Sequence, residues 1–405
     1  MYTFIENIEN EKHDEFVKNH PLCSLLQSSS WAKIKDNWDH RIVGVYENDE
    51  LVASSLVLIK RLPLSFTMMY IPRGPILDYQ NKELVKFYFK SIKKWAKKFN
   101  CLFIKFDPGI CVKEYLVKNK DKVEYNDGTF EIIKNIESAN GIHLGFTQDM
   151  MDTIQPRYQM GIHKCEDFEK YIGKDARKSK NAAIRKHVKV ERYGIDKVDE
   201  FSNIMHLTEL RKGVALRNQE YFRKLMEVYK DDAYLFLCSV DPNIRYNEVK
   251  ERLAEVEKEL TNEQLSKNQI DRLQVELKNM REELPSLEEV MEKYDSETFI
   301  AGSLMIGFGS TVEMLYAGMN EDFRSFKAQF LSHFIRFQYV FDLGYEYACM
   351  GGVEGSLKDG LTGYKSKFNA LVCEFIGEFD LPVNTILYKL SRLAYTLRKR
   401  KKLWE

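Results

Sequence analysis

The 405-residue sequence predicts an α/β protein of two similar domains, with an antiparallel coiled-coil arm inserted in the second. Three observations carry this. A hairpin, a third strand, an amphipathic helix and a further strand occur in that order twice, as a repeat of architecture and not of residues. The chain is too long for one ordinary core. The stretch "YNEVKERLAEVEKELTNEQLSKNQIDRLQVELKNMREELPSLEEVMEKY" spaces apolar residues by three and four on both sides of a polar break, the pattern of a coiled-coil seam.

In the first repeat, "SSSWAKIKDNW" reads as a helix with Ser30 as N-cap and Trp31, Ile34 and Trp38 on one face. The strands "HRIVGVYE" and "LVASSLVLIKR" flank a tight turn at Asn48 and Asp49. "TMMYIPRGP" is the third strand, "NKELVKFYFKSIKKWAKKF" the helix and "CLFIKFDPG" the last strand. The second repeat runs "DAYLFLCSVD", "ETFIAGSLMIGFG", "TVEMLYAGMN", the helix "SFKAQFLSHFIRFQYVFDLG" and "YEYACMGGVEG". Aligning the repeats puts the arm, residues 246–294, where the first repeat has only its hairpin turn. Such an insertion is tolerated because loop closure grows slowly with length. Pro285 is expected to disturb the second arm helix near its end. The expected domains are 1–150, with a C-terminal helix 381–405 packing back on it, and 151–245 plus 295–380.

Lys+Arg and Asp+Glu are both 61, so nucleic-acid or membrane contact must use local patches. The charged N-terminus does not read as a signal peptide, and no apolar run is long enough for a membrane span. A cytoplasmic protein is expected. Seven cysteines without C-x-x-C spacing predict free or buried thiols. No His pair has metal-ligand spacing, so no metal is expected.

The repeated order resembles the GNAT acyltransferase fold. Enzymes of that fold that use coenzyme A hold its pyrophosphate on a Q/R-x-x-G-x-G/A loop at a helix N-terminus. The corresponding "YIPRGPILDYQNKE" and "YAGMNEDFRSFKA" lack that glycine spacing, which argues against a coenzyme A-dependent N-acyltransferase. The segments "LLQSSSWAKIKDNW", "YIPRGPILDY", "IKFDPGI", "LYAGMN" and "GYKSKFN", in this order and with the arm, resemble the FemABX peptidoglycan aminoacyltransferases, most closely the MurM type.

The resemblance implies transfer of an amino acid, alanine or serine, from aminoacyl-tRNA to the side-chain amine of the stem-peptide lysine of lipid II. Aminoacyl-tRNA is then a co-substrate and no other cofactor is implied. The amine attacks an activated ester, so the enzyme needs positioning, oxyanion stabilisation and a route for the amine's proton. Lys365 in "GYKSKFN" matches the family's catalytic lysine and Tyr364 its aromatic neighbour, while Lys367 stands where the family has glycine. Asp107 in "FDP" ends a strand and is placed to hold or deprotonate an amine; Asp-Pro is also an ordinary turn. By resemblance Lys35, Trp38, Arg217 and Tyr221 bind the precursor, with Lys35 and Arg217 on its diphosphate. Arg73 and Tyr316 match family positions at the central strands.

Two basic stretches remain. Residues 174–192 carry eight Lys/Arg against two acidic residues. There Lys174, Arg177, Lys178, Lys180, Arg185 and Lys186 suit tRNA phosphates. From Arg392 on, six Lys/Arg face only Glu405, which suits the anionic inner face of the cell membrane. The arm is acidic, with eight Lys/Arg and thirteen Asp/Glu, and is expected to serve protein contacts or edge contacts to tRNA. The alternative of another class is a non-catalytic protein that binds tRNA or a partner through its arm.

Overall fold

The computed structural model describes residues 1–213 and 216–402, with side chains as far as Leu393. Two mixed sheets form its frame. The first runs Tyr2–Glu6, Asp39–Glu47, Glu50–Arg61, Thr67–Ile71, Cys101–Phe106, Phe379–Pro382, Ile142–His143, with Ile76–Leu77 paired to Glu50–Arg61. The second runs Lys189–Tyr193, Ala233–Val240, Thr298–Phe308, Thr311–Met319, Tyr347–Gly352, Tyr158–His163, Leu371–Phe375, Cys111–Tyr115. These are two GNAT-like domains, each with one parallel pair inside an otherwise antiparallel sheet.

Both parallel pairs are short. In the second sheet, pairing between Thr311–Met319 and Tyr347–Gly352 runs from Thr311↔Tyr347 to Glu313↔Cys349 and then stops. The two strands part there. In the first sheet, Ile71 still pairs with Phe106, and the chains part at Pro72 and Asp107. A bulge at Leu315, between the pairs Leu304↔Tyr316 and Met305↔Met314, re-aims the strand. Tyr316 then packs with the inter-domain core and Met314 with the core under the groove.

The helix Lys82–Ala96 buries Leu84, Val85, Tyr88, Phe89, Ile92 and Trp95 on the first sheet, and Asn81 caps it by accepting from Leu84 N–H. The equivalent helix Ala328–Asp342 buries Leu331, Phe337, Val340 and Phe341 on the second. A single apolar cluster joins Trp31, Ile34, Leu56 and Tyr70 of the first half to Phe201, Phe222, Leu225 and Leu304 of the second. The domains therefore meet through a core and not a wet interface.

The arm leaves Val240 and returns at Thr298, two residues that pair across the hairpin. Its helices, Pro242–Glu259 and Lys267–Met291, bury Val249, Val256, Leu273, Met280 and Leu287 along the seam. Asp241 caps the first and a Ser266–Gln269 capping box starts the second. Pro285 does not end the second helix, which runs on to Met291. Leu284 and Leu287 pack into the arm's cluster on either side of it, so seam packing offsets the lost backbone hydrogen bond.

Several expectations change. The early helix is Ser29–Ile34, capped by Ser28, whose Oγ accepts from Trp31 N–H at 3.2 Å, and not by Ser30. Trp38 lies beyond its end in a turn, its N–H donating to Lys35 O. The 1–150 boundary is crossed, since Cys111–Tyr115 completes the second sheet and Phe379–Pro382 the first. Each sheet thus satisfies an open edge with a strand from the other half of the chain. The C-terminal helix begins at Thr385, and Tyr388 sets it on the first sheet by contact with Phe103 and a hydrogen bond to Asp380. Cys111 and Cys373 form a disulfide, where free thiols were expected; the other five cysteines are free. The two lie on paired strands with Cα atoms 5.8 Å apart, a proximity that 262 residues of separation conceal.

Candidate functional site

A groove of about 710 Å³ lies in the second domain beside the strand Thr311–Met319. Met314, Ala317, Gly318 and Met319 form part of its lining, with Phe330, His333, Tyr364 and Lys365. Six cations, Arg211, Lys212, Arg324, Lys327, Lys365 and Lys367, line it against the single carboxylate Glu321, which pairs with Arg211 and Arg324. A polyanion or an anionic transition state is the ligand class this field favours.

Lys365 sits on the short helix Gly360–Ser366, whose cap Asp359 accepts from Leu361 N–H and Thr362 N–H. It is only 3% exposed. Its Nζ donates to Gly351 O and Gly352 O, both at 2.9 Å. Gly351 has φ +83°, a conformation in which a side chain would be strained, and its carbonyl is held on the lysine there. Burial pushes the Lys365 pKa down to about 8. The ammonium is therefore poised near its titration point, with one proton still free for an oxygen in the groove.

Asp107 follows Cys101–Phe106 at the equivalent end of the first sheet and is 2% exposed. Oδ1 accepts Arg73 N–H at 3.0 Å, and Oδ2 has no hydrogen-bond partner. Burial pushes its pKa up to about 7, against the pull of Arg73. A carboxylate with a free oxygen lobe and a near-neutral pKa has the properties of a general base. Arg73 donates to Pro156 O at 2.7 Å and stacks on Phe375 at 3.9 Å, so it is a strut between the two halves.

The precursor-binding candidates group at the domain junction. Lys35 lies over Trp31 at 4.9 Å, and burial followed by the nearby Arg217 charge lowers its pKa. Arg217 lies over Tyr221 at 5.0 Å, and Tyr221 meets Tyr316 edge-on at 6.0 Å. Trp38 is half-buried with Lys60 over its ring at 5.5 Å. This places Lys35, Arg217, Tyr221 and Tyr316 in one aromatic and cationic cluster, with Trp38 and Lys60 beside it.

The FemAB family pattern matches residues 8–396. This chain belongs to the FemAB family. A Lipid II:glycine glycyltransferase of Staphylococcus epidermidis is 30% identical over 404 residues, covering 95% of this chain and 94% of that one. The protein of the same name from Staphylococcus haemolyticus is 28% identical over 408 residues, with the same coverage of 95% and 94%. The crystal structure of FemX superposes with a TM-score of 0.74 at 28% identity, covering 96% of this chain and 99% of that one.

In this FemAB protein the basic helix Lys174–Arg185 is divided in use. Lys174, Lys178 and Arg185 are exposed. Lys180 is buried against Phe334 and paired with Glu169. Lys186 is taken up by Glu283 of the arm at 2.8 Å and by Ser325 O. Arg177 is half-buried near Glu169 O and Lys170 O. The C-terminal cations at 398–402 lie outside the described side chains.

Sequence reasoning missed the rest of the FemAB groove, His333, Gln329, Arg211, Lys212, Arg324 and Lys327, and Arg336 beneath it. The helix "SHFIRF" did carry a signal, since His333 and Arg336 are polar residues on a core-facing stripe.

Proposed function

We propose that this FemAB protein transfers a small amino acid from aminoacyl-tRNA to the side-chain amine of the stem-peptide lysine of lipid II. The observation that carries the reading is the groove itself, lined by five cations around the buried Lys365. An acyl ester at the end of a phosphate-rich chain fits that field. Lys365 stabilises the oxyanion formed at the ester carbonyl and Asp107 accepts the proton of the attacking amine, directly or through water. The new amide forms as the ester bond to the tRNA ribose breaks, and the ribose oxygen leaves with a proton. Lys35 and Arg217 bind the diphosphate of the precursor, with Trp38, Tyr221 and Tyr316 around it. The relatives are named for glycine, and the MurM-type resemblance implies alanine or serine. A peripheral contact with the anionic membrane surface brings the enzyme to its lipid substrate. No cofactor takes part in this chemistry.

The test incubates the purified protein with lipid II and tRNA charged with labelled glycine, alanine or serine. Label in the lipid fraction with one of the three supports the reading; no labelled product with any of them refutes it. Transfer from acetyl-coenzyme A in place of charged tRNA supports the coenzyme A alternative.

A further inference from the structure

His333 lies on the helix Ala328–Asp342 beneath the groove and is 2% exposed. Its ring nitrogens have three partners. Nε2 is 2.6 Å from Arg336 Nη2. Nδ1 is 2.9 Å from Gln329 O and 2.9 Å from Tyr364 Oη. Two of these partners have fixed polarity. A guanidinium only donates, so Nε2 accepts; a backbone carbonyl only accepts, so Nδ1 carries the proton. Both constraints select one neutral tautomer. The third contact is then decided as well: Nδ1–H, shared with Gln329 O, donates to Tyr364 Oη. The phenol does not use its own proton on His333. Tyr364 lines the groove beside Lys365 and Phe330, and its hydroxyl proton is not spent on His333.

Arg336 explains why the tautomer is held. It is 0% exposed, and its Nε and Nη1 have no hydrogen-bond partner. Its Nη2 also reaches Met314 Sδ at 3.1 Å, on the groove side of the strand Thr311–Met319. A buried guanidinium without a carboxylate is costly and needs a reason. Burial lowers its pKa to about 10, so it is still a cation at neutral pH. Burial and the Arg336 charge together push His333 well below its ordinary pKa and keep it neutral.

We propose that Arg336, acting through His333, holds the Tyr364 hydroxyl as a hydrogen-bond donor to the ester carbonyl oxygen of the acyl donor, and to the oxyanion formed from it. The proposal rests on the acyl-transfer reading above. Tyr364 touches the substrate; His333 and Arg336 are positioning residues. No proton changes owner. The phenol supplies a fixed dipole that needs no reorganisation when charge develops. Lys365 and Tyr364, adjacent on one short helix, approach the same oxygen as a charged and a neutral donor.

The experiment measures kcat and KM for charged tRNA in wild type, Tyr364→Phe, Arg336→Met and the double variant. Tyr364→Phe is expected to lower kcat about tenfold with an unchanged melting temperature. Arg336→Met is expected to lower kcat similarly, and the double variant to be no slower than either single variant. Wild-type kcat in Tyr364→Phe, or multiplicative losses in the double variant, would overturn the proposal. A second measurement does not depend on turnover. Nitrogen NMR of labelled histidine is expected to show His333 protonated on Nδ1 and bare on Nε2 from pH 6 to 8, and an Nε2–H or imidazolium signal overturns the relay. A wild type without transfer sinks the acyl-transfer reading, whereas an active wild type matched by Tyr364→Phe sinks this proposal alone.

Discussion

Asp107 accepts the backbone N–H of Arg73 at 3.0 Å, while the Arg73 guanidinium stands 3.8 Å from the other carboxylate oxygen and donates to Pro156 O instead. The arginine thus fixes the carboxylate's orientation without neutralising it in a close ion pair. Burial dominates, and Asp107 titrates near 7. As the proposed proton acceptor it must be ionised, so kcat is expected to rise with pH to a plateau with a midpoint near 7. Asp107→Asn keeps the hydrogen bond from Arg73 and is expected to lose about 100-fold or more in kcat together with this acidic limb. Stability gives an independent check. A raised folded-state pKa contributes stability that is full below the unfolded value of 3.8 and is lost as pH rises through 7. Urea unfolding of wild type is therefore expected to lose stability relative to Asp107→Asn between pH 4 and 7. A wild-type kcat that stays flat from pH 5.5 to 8 would remove Asp107 from the base role.

Lys365 sets the opposite limb. Its pKa is depressed to about 8, so the ammonium is lost as pH rises through that value. The kcat profile is expected to fall above pH 8, giving a narrow bell with the Asp107 limb. Lys365→Arg keeps a cation that does not titrate in this range and is expected to flatten the alkaline limb. Lys365→Ala is expected to lose 100-fold or more, as for removal of an oxyanion donor. Full turnover in Lys365→Ala would exclude its role in the chemistry.

The fold was readable where hydrophobic period and length agreed. The arm seam, with Val249, Val256, Leu273, Met280 and Leu287 buried, follows the three-four spacing directly. The helix Lys82–Ala96 and the paired strands of each hairpin were equally plain. Short strands such as Cys111–Tyr115 and Phe379–Pro382 were not, because five or four residues carry too little alternation to reveal a sheet. Their exchange between sheets is a long-range fact. The site divides the same way. Lys365 and Asp107 were singled out through the family resemblance of the short motifs that hold them. His333 and Arg336 were hidden because their link to the groove runs through Tyr364, 31 residues on from His333. The basic helix was over-read: Lys180 and Lys186 carry charge that Glu169 and Glu283 already occupy.

The arm's cations are similarly engaged. Arg245 pairs with Glu283, Arg252 with Glu276 and Arg281 with Glu257, each across the two helices. A net acidic surface with three of its arginines tied in such pairs releases few counterions on binding tRNA. Removing residues 254–275 and closing the gap with a short turn shortens the hairpin symmetrically while leaving its base. The KM for charged tRNA is expected to stay within about threefold of wild type. A tenfold rise would show that the arm grips tRNA.

The proposed membrane contact has a candidate surface. Ile386, Leu390 and Leu393 follow helical spacing on Thr385–Lys402 and are 73%, 57% and 58% exposed. Leu64, in the turn after Arg61, is 87% exposed. Phe66 and Leu387 line one small cavity, which puts that turn beside the start of the helix. Lys60 stacks on Trp38 and Arg61 pairs with Asp39, so the same end of the first sheet holds the candidate diphosphate cluster. A lipid-linked diphosphate lies at the bilayer surface, and its binding residues must come close to that surface. No helix among the described residues is long and apolar enough to cross a membrane. Flotation with vesicles of anionic phospholipid lacking lipid II is expected to carry wild type upward. The double variant Leu64→Ser, Leu390→Ser is expected to bind about tenfold less, since two apolar side chains no longer enter the interface. Its turnover on a water-soluble stem-peptide acceptor without the lipid chain is expected to be unchanged. Equal flotation of the two proteins would place the membrane contact elsewhere.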